Sequence, residues 1–306
     1  AFRECASSFG EIGNYLSSVT KDKGFYLLMA LEKSIFGDSC RLFFILLAAF
    51  QLLIIVWMFR KYSEDYWFSI FLFIASTDYI SWTFNGIRQF TAVVIAYAAT
   101  PFILKKKYIP SILLILLAST MHQSVLLMIP IIFIIQGKAW NKKTVLCILA
   151  CLTALLFVDH FTDIMDSMLA ETQYRNVVSD YKSWNDDGTN PLRVLVYSIP
   201  MILSLIGLKY VQAEDDPMIN TAVGASAIVC GLYVISMVTS GIFLGRLPIY
   251  ISLWSQCILL PWEIKHMFTE KSARLVKIIA ICCYCVFFYF RCTLHGGFYK
   301  KGKLDD

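Results

Sequence analysis

"TFNGIRQFTAVVIAYAATPFILKKK", residues 83–107, decides how the rest of the chain is read. From residue 84 to 104 the run is apolar and about as long as a helix must be to cross a bilayer, and Lys105, Lys106 and Lys107 close it. Its opening turn is different. Asn85, Arg88 and Gln89 stand at i, i+3 and i+4, which puts them on one face of a helix. An arginine at membrane depth is costly and usually faces a cavity, a partner or a ligand.

Similar runs recur on both sides of this one. Residues 41–58 end at Arg60 and Lys61, and residues 66–81 are interrupted by Asp78. Residues 108–135 are too long for one ordinary span and short for two. With His122 and Gln123 at the middle, they read as a helical hairpin or a broken helix pair bent near His122. Further runs cover 144–161, 191–210, 218–244, 247–264 and 275–290. The pattern predicts an all-α, polytopic integral membrane protein. It has roughly nine to ten transmembrane or half-spanning helices in a single transmembrane domain, residues 1–306. Composition agrees: the 306 residues are 58% hydrophobic and 16% charged, with mean hydropathy +0.64, whereas a soluble domain is about a quarter charged. The runs have helical length and lack the alternation of barrel strands.

Basic residues orient the chain. Arg60, Lys61, Lys105–Lys107, Lys138, Lys142, Lys143, Lys209 and the group from Lys265 to Lys277 fall on one side if 108–135 crosses twice. That side is the cytoplasm. Residues 1–39 are then an outer-face N-terminal segment, 162–190 an outer-face (periplasmic) loop, and the C-terminal tail lies outside. The chain opens on Ala1, and an outward N-terminus fits a preceding span or a removed leader.

This topology gathers Asp78, Asn85, Arg88, Gln89, His122, Arg193 and Arg246 in the outer half. Arg88 lies at the start of a helix whose positive dipole end adds to its charge, which makes an anion site. A guanidinium also binds phosphate bidentately. An arginine snorkelling to the interface is the plainer alternative. In "GIFLGRLPIY", residues 241–250, Arg246 likewise stands at an outer helix start, with Tyr250 one turn on upon the same face. Two such arginines suit a diphosphate, or act as two independent interface anchors. His122 is a structural histidine or one that orients or deprotonates a hydroxyl. Asp78 is a general base or, in preference, the partner of Arg88. Arg175, acids and aromatics in the 162–190 loop suit a sugar-binding surface, and equally an ordinary solvated loop.

Several chemistries have no motif here. The sequence lacks a glycine-rich phosphate loop, a GxSxG elbow, an HExxH pair and the DxD of metal-dependent sugar-nucleotide transferases. "NDDG" lacks the spaced ligands of a calcium loop. Net charge +5 belongs to the positive-inside pattern, and no basic-aromatic patch suggests nucleic acid. Most of the ten cysteines sit in apolar runs as small hydrophobes, without zinc spacing. Cys5 and Cys40 share the outer side, so a disulfide between them is an expectation for an oxidising compartment.

The stretch from Thr83 to Ile134, with Asn85-Gly86-Ile87-Arg88-Gln89, the basic turn at 105–107, and His122 followed by Ser124 and Pro130, resembles the core of the EpsG-type polysaccharide polymerases, relatives of the Wzy O-antigen and capsule polymerases. "KDKGFYLLMALEKSIF", residues 21–36, resembles the same family. The likeness covers most of residues 15–135. Beyond them only hydropathy and the arginine at 246 agree. The resemblance implies a GT-C-like glycosyltransferase of the bacterial inner membrane, working at the periplasmic face without metal or other cofactor. Its partners would be undecaprenyl-diphosphate-linked glycan donor and acceptor and the lipid bilayer, with a chain-length regulator as a further candidate and no nucleic acid. Taken with the reading of the residues above, Arg88, His122 and Asp78 are the catalytic candidates. Arg246, Asn85, Gln89, Arg193, Tyr250 and Arg175 are the substrate-binding ones, with no metal ligand. An O-antigen-ligase-like lipid-diphosphate transferase and a lipid-linked glycan flippase are the alternatives; a flippase would want polar residues along a whole path or an internal repeat.

Overall fold

The computed structural model describes residues 2–169, 188–241 and 243–293. Among these the chain is helical and contains no strand. In order it runs α1 (Ile12–Ser18), α2 (Lys23–Phe36), α3 (Cys40–Tyr62), α4 (Tyr66–Ala75), α5 (Asp78–Asn85), α6 (Ile87–Ala98), α7 (Thr100–Leu104) and α8 (Tyr108–Ser119). A 3-10 turn, Gln123–Leu127, leads into α9 (Met128–Ile134). Then follow α10 (Lys142–Leu156), α11 (Val158–Leu169), α12 (Pro191–Ile206), α13 (Leu208–Glu214) and α14 (Pro217–Met237). Last come α15 (Ile249–Leu253), a π-helical segment Trp254–Leu259, α16 (Leu260–His266) and α17 (Glu270–Thr293).

Among the described residues three helices are long and apolar enough to cross a membrane: α3, α14 and α17. The pairs α10/α11 and α12/α13, bent by 105° and 77°, raise the number to five if each is one span. This establishes a helical membrane protein. It does not establish the expected nine to ten transmembrane or half-spanning helices, since most of the apolar runs are broken. Residues 66–81 divide at Thr77, where φ is +60°, just before the Asp78 that the sequence marked. Residues 108–135 divide at His122, as expected, with extended backbone (φ −159°, ψ 120°) between α8 and the 3-10 turn. The expected 162–190 loop is helical as far as Leu169, and residues 170–187, which include Arg175, lie outside the described residues.

The contacts divide the chain into two compact units. The first comprises residues 2–61 and 78–130. Its N-terminal part packs Phe2, Cys5, Phe25, Met29, Phe43 and Leu47 together. Lys33 ties that part down by donating to the carbonyls of Phe2, Arg3 and Cys5 at 3.4, 2.9 and 3.3 Å. Cys5 is buried there, donating to the Phe2 carbonyl at 3.0 Å, and Cys40 is half-buried. Both are free thiols, so the expected disulfide does not form. Helix α6 packs against α5, α8 and the 3-10 turn, and Gln51 of α3 donates to Thr91 of α6 at 2.9 Å.

The second unit comprises residues 62–77 and 131 onward. Its centre is α14, which is mostly buried and packs against α10, α12 and the π-helical segment. Helix starts are capped by side chains: Asn141, Asn190 and Asp216 accept from amides of the first turn of α10, α12 and α14. Two prolines in this unit leave carbonyls without their α-helical donors, since proline lacks an N–H. Pro261 orphans the Cys257 carbonyl four residues back, and Ser69 Oγ donates to it at 2.5 Å. Pro200 orphans the Val196 carbonyl, and Gln256 Nε2 donates to it at 3.4 Å. Gln256 is in turn fixed by the Tyr284 hydroxyl at 2.7 Å. Side chains from neighbouring helices thus complete the hydrogen bonding that the prolines interrupt.

Candidate functional site

The stretch that opens the argument is two helices rather than one. Asn85 ends α5, Gly86 stands between (φ −121°, ψ 38°), and Arg88 and Gln89 lie in the first turn of α6. Gly86 is required by close approach. A Cβ there would meet the Trp82 ring at 1.9 Å. The break dissolves the shared face: Arg88 and Asn85 are exposed, while Gln89 is buried at 6% exposure. Asn85 donates to Ser81 within its own helix at 3.2 Å. No side chain caps α6, so its first-turn amides and Arg88 together form an electropositive end.

Arg88 does not pair with Asp78. Its Nη1 donates to Asp22 Oδ2 at 2.8 Å, and its guanidinium lies over the Tyr26 ring, 6.0 Å from the centroid. Asp78 is instead buried, at 3% exposure, at the start of α5. The correction follows from topology. Asp22 is distant in sequence, and the segment bearing it is brought in by the Gly24 amide, which donates to the Thr120 carbonyl at 2.9 Å. Only glycine fits at that point, because a Cβ would meet Thr120 Oγ1 at 2.2 Å.

Thr120 is also two residues from His122. His122 Nδ1 and Ser124 Oγ are 2.7 Å apart, and α6 packs against the 3-10 turn that His122 begins. The first unit therefore gathers Asp22, Tyr26 and Arg88 around the start of α6, and His122 with Ser124 at the break that the same helix packs against. Nearby, α2 and α3 flank a cavity of about 380 Å³, lined by Leu28, Leu31, Ile35, Phe43 and Met121 among others. Glu32 lines it too. Both its carboxylate oxygens are buried without a hydrogen-bond partner, and burial raises its pKa.

Arg193, Arg246 and Tyr250 belong to the second unit. Arg193, in the first turn of α12, lies 4.9 Å from the Tyr233 ring centroid. Arg246 is exposed at the end of a 3-10 turn, Leu244–Arg246, and α15 begins only at Ile249. Tyr250, in the first turn of α15, is buried at 1% exposure. The segment that carries Arg193 is fastened near Arg246's turn: the Thr189 amide donates to the Ser236 carbonyl at 2.9 Å and Ser236 Oγ to Thr189 Oγ1 at 2.7 Å. Among the described residues no three His, Cys, Asp or Glu side chains cluster as metal ligands.

Sequence reasoning missed Asp22 and Tyr26. Their signal was local: an aspartate two residues ahead of a glycine, opening an amphipathic helix, within the stretch whose likeness to a family was already noted.

Fold and site together define a helical integral membrane protein with an arginine-centred polar site at the start of a short, deeply packed helix. The comparison with protein families is specific. Residues 6–300 match the EpsG family, nearly the whole chain, and the chain belongs to that family. Membership makes it a polysaccharide polymerase of the glycosyltransferase kind. No curated protein and no solved structure matches the chain.

Proposed function

We propose that this protein transfers an undecaprenyl-diphosphate-linked oligosaccharide to another lipid-linked repeat unit at the periplasmic face of the bacterial inner membrane. The carrying observation is Arg88: half-exposed at an uncapped helix start, and supported from behind by a buried carboxylate. A lipid diphosphate has its charge at the interface and its tail in the bilayer, which is where an arginine at the end of an apolar helix meets it. Arg88 binds the diphosphate and stabilises the charge that develops as it leaves. His122, its ring held by Ser124, activates or orients the acceptor hydroxyl, and Asp78 is the second acid-base candidate. Asn85 and Gln89 support Arg88's turn. Arg193, Arg246 and Tyr250 are the second unit's substrate-contacting residues, and Arg175 with its loop holds sugars. In this reading the shorter apolar helices are half-spans, nine to ten elements in a GT-C-like arrangement, and no metal takes part.

The test is Arg88→Lys in cells lacking the native protein, with membrane insertion confirmed and the glycan length ladder as readout. Lysine keeps the charge and loses the fork. The expected outcome is collapse to single repeat units. A normal ladder refutes the site, and loss of all glycan from the outer face replaces the polymerase by a transporter.

A further inference from the structure

We propose that Asp22 is a positioning residue of this site, holding Arg88 so that one edge of its guanidinium stays open to the diphosphate. The inference rests on the reading of Arg88 given above.

The backbone at Asp22 is the first sign. Aspartate at a helix N-cap ordinarily adopts extended backbone and accepts from an amide of the first turn. Asp22 does neither. Its φ and ψ are 54° and 38°, in the left-handed region, and its side chain caps nothing in α2. Both departures are locally unfavourable. What they achieve is direction: Oδ2 reaches Arg88 Nη1 at 2.8 Å. The surroundings enforce the conformation, since the Gly24 amide is bound to Thr120 and a side chain at residue 24 has no room.

The burial of the pair is lopsided. The Asp22 side chain is 5% exposed and that of Arg88 is 45% exposed. A pair serving stability alone would gain most from two buried, fork-to-fork partners. Here the carboxylate contacts the arginine through a single nitrogen, and its other oxygen, Oδ1, is buried and accepts nothing. The end-on contact leaves the Nη2 and Nε hydrogens for another acceptor, and phosphate matches that edge in geometry. Tyr26, one turn along α2 from Asp22, lies against the guanidinium at 6.0 Å and limits its swing. Carboxylate, ring and helix start together fix where the cation sits while half of it remains accessible.

A positioning role makes Asp22 act through Arg88, and a thermodynamic cycle reads that directly. The purified full chain, as wild type, Asp22→Asn, Arg88→Lys and the double variant, is titrated with geranylgeranyl diphosphate. Each is also assayed for elongation of the lipid-linked repeat unit. Asp22→Asn is expected to retain folded yield, to weaken diphosphate binding by about tenfold, the worth of one charge-assisted hydrogen bond, and to raise KM more than it lowers kcat. In the Arg88→Lys background the same change is expected to add little. The charge-swapped pair, Asp22→Arg with Arg88→Asp, is expected to recover folded yield without recovering binding, because the cation then leaves α6. Equal effects of Asp22→Asn in both backgrounds, unchanged KM, or a charge swap that restores elongation would each overturn the proposal. A wild type that binds the prenyl diphosphate but never lengthens the glycan overturns the polymerase reading instead, and the binding cycle still decides the role of Asp22.

Discussion

Removing Arg88 should do more than empty a binding site. Arg88→Ala deletes the cation paired with Asp22, whose carboxylate is only 5% exposed and cannot recruit water without local opening. A fully buried pair broken on one side costs about 3–5 kcal/mol, and an exposed pair about 0–1 kcal/mol. With Arg88 itself 45% exposed, the contact lies between these limits, and the expected loss is roughly 2 kcal/mol. That corresponds to a fall in Tm of roughly 4–8 °C for a domain of ordinary size. Thermal unfolding in detergent, followed by tryptophan fluorescence, measures it. Asp22→Asn combined with Arg88→Ala removes the stranded charge and should regain more than half of the loss. If Arg88→Ala melts like the wild type, or the double variant melts no higher than Arg88→Ala, the buried-carboxylate argument fails. The point also bears on activity: an Arg88→Ala defect mixes lost binding with lost stability, and Arg88→Lys is the cleaner probe.

Two further outcomes are expected in the second unit. Ser69→Ala strands the Cys257 carbonyl and should cost about 1–3 kcal/mol, whereas in a Pro261→Ala background, where the helix regains its own donor, it should cost much less. Melting temperatures of the four proteins check this. Glu64, in the α3–α4 connection, has its pKa lowered by hydrogen bonding from Lys265, with burial opposing and His266 assisting. A depressed carboxylate contributes stability that is present above its ordinary value of 4.5 and is lost as pH falls through the lower folded value. Glu64→Gln should therefore destabilise slightly at pH 7, by less than about 1 kcal/mol because the group is 40% exposed, and by less at pH 3. An equal difference at both pH values removes the ion pair from the account.

The parts legible in sequence were those with local causes. The break at His122 followed from a run too long for one span, and the apolar run from residue 191 begins where α12 does. Two things were not legible. The division of "TFNGIRQFT" depends on the Trp82 ring lying over Gly86, a contact that hydropathy does not report. The partner of Arg88 depends on a long-range contact set by the Gly24–Thr120 clamp, so the nearer acid, Asp78, was the natural but mistaken choice. The Cys5–Cys40 expectation failed for the same reason, since spacing does not show that Cys5 sits within an apolar cluster and donates to the Phe2 carbonyl.

The local irregularities that gather around Arg88 argue for where the chemistry lies. In the second unit, helices α10, α12 and α14 begin on side-chain caps, and the carbonyls orphaned by Pro200 and Pro261 are supplied by Gln256 and Ser69. Those carbonyls are satisfied there, although Thr77, Trp140 and Asp215 of the same unit are left-handed and the buried Glu263 has both carboxylate oxygens without a hydrogen-bond partner. In the first unit α2 and α6 begin without side-chain caps, Asp22 is left-handed with one carboxylate oxygen unsatisfied, and the chain is extended at His122. Sequences that specify a fold agree across levels, and the departures they retain collect where something other than stability is selected. Here the departures at Asp22 and α6 converge on one half-exposed guanidinium. Repairing them, by a side-chain cap on α6 or relaxed backbone at residue 22, should raise stability and weaken diphosphate binding together.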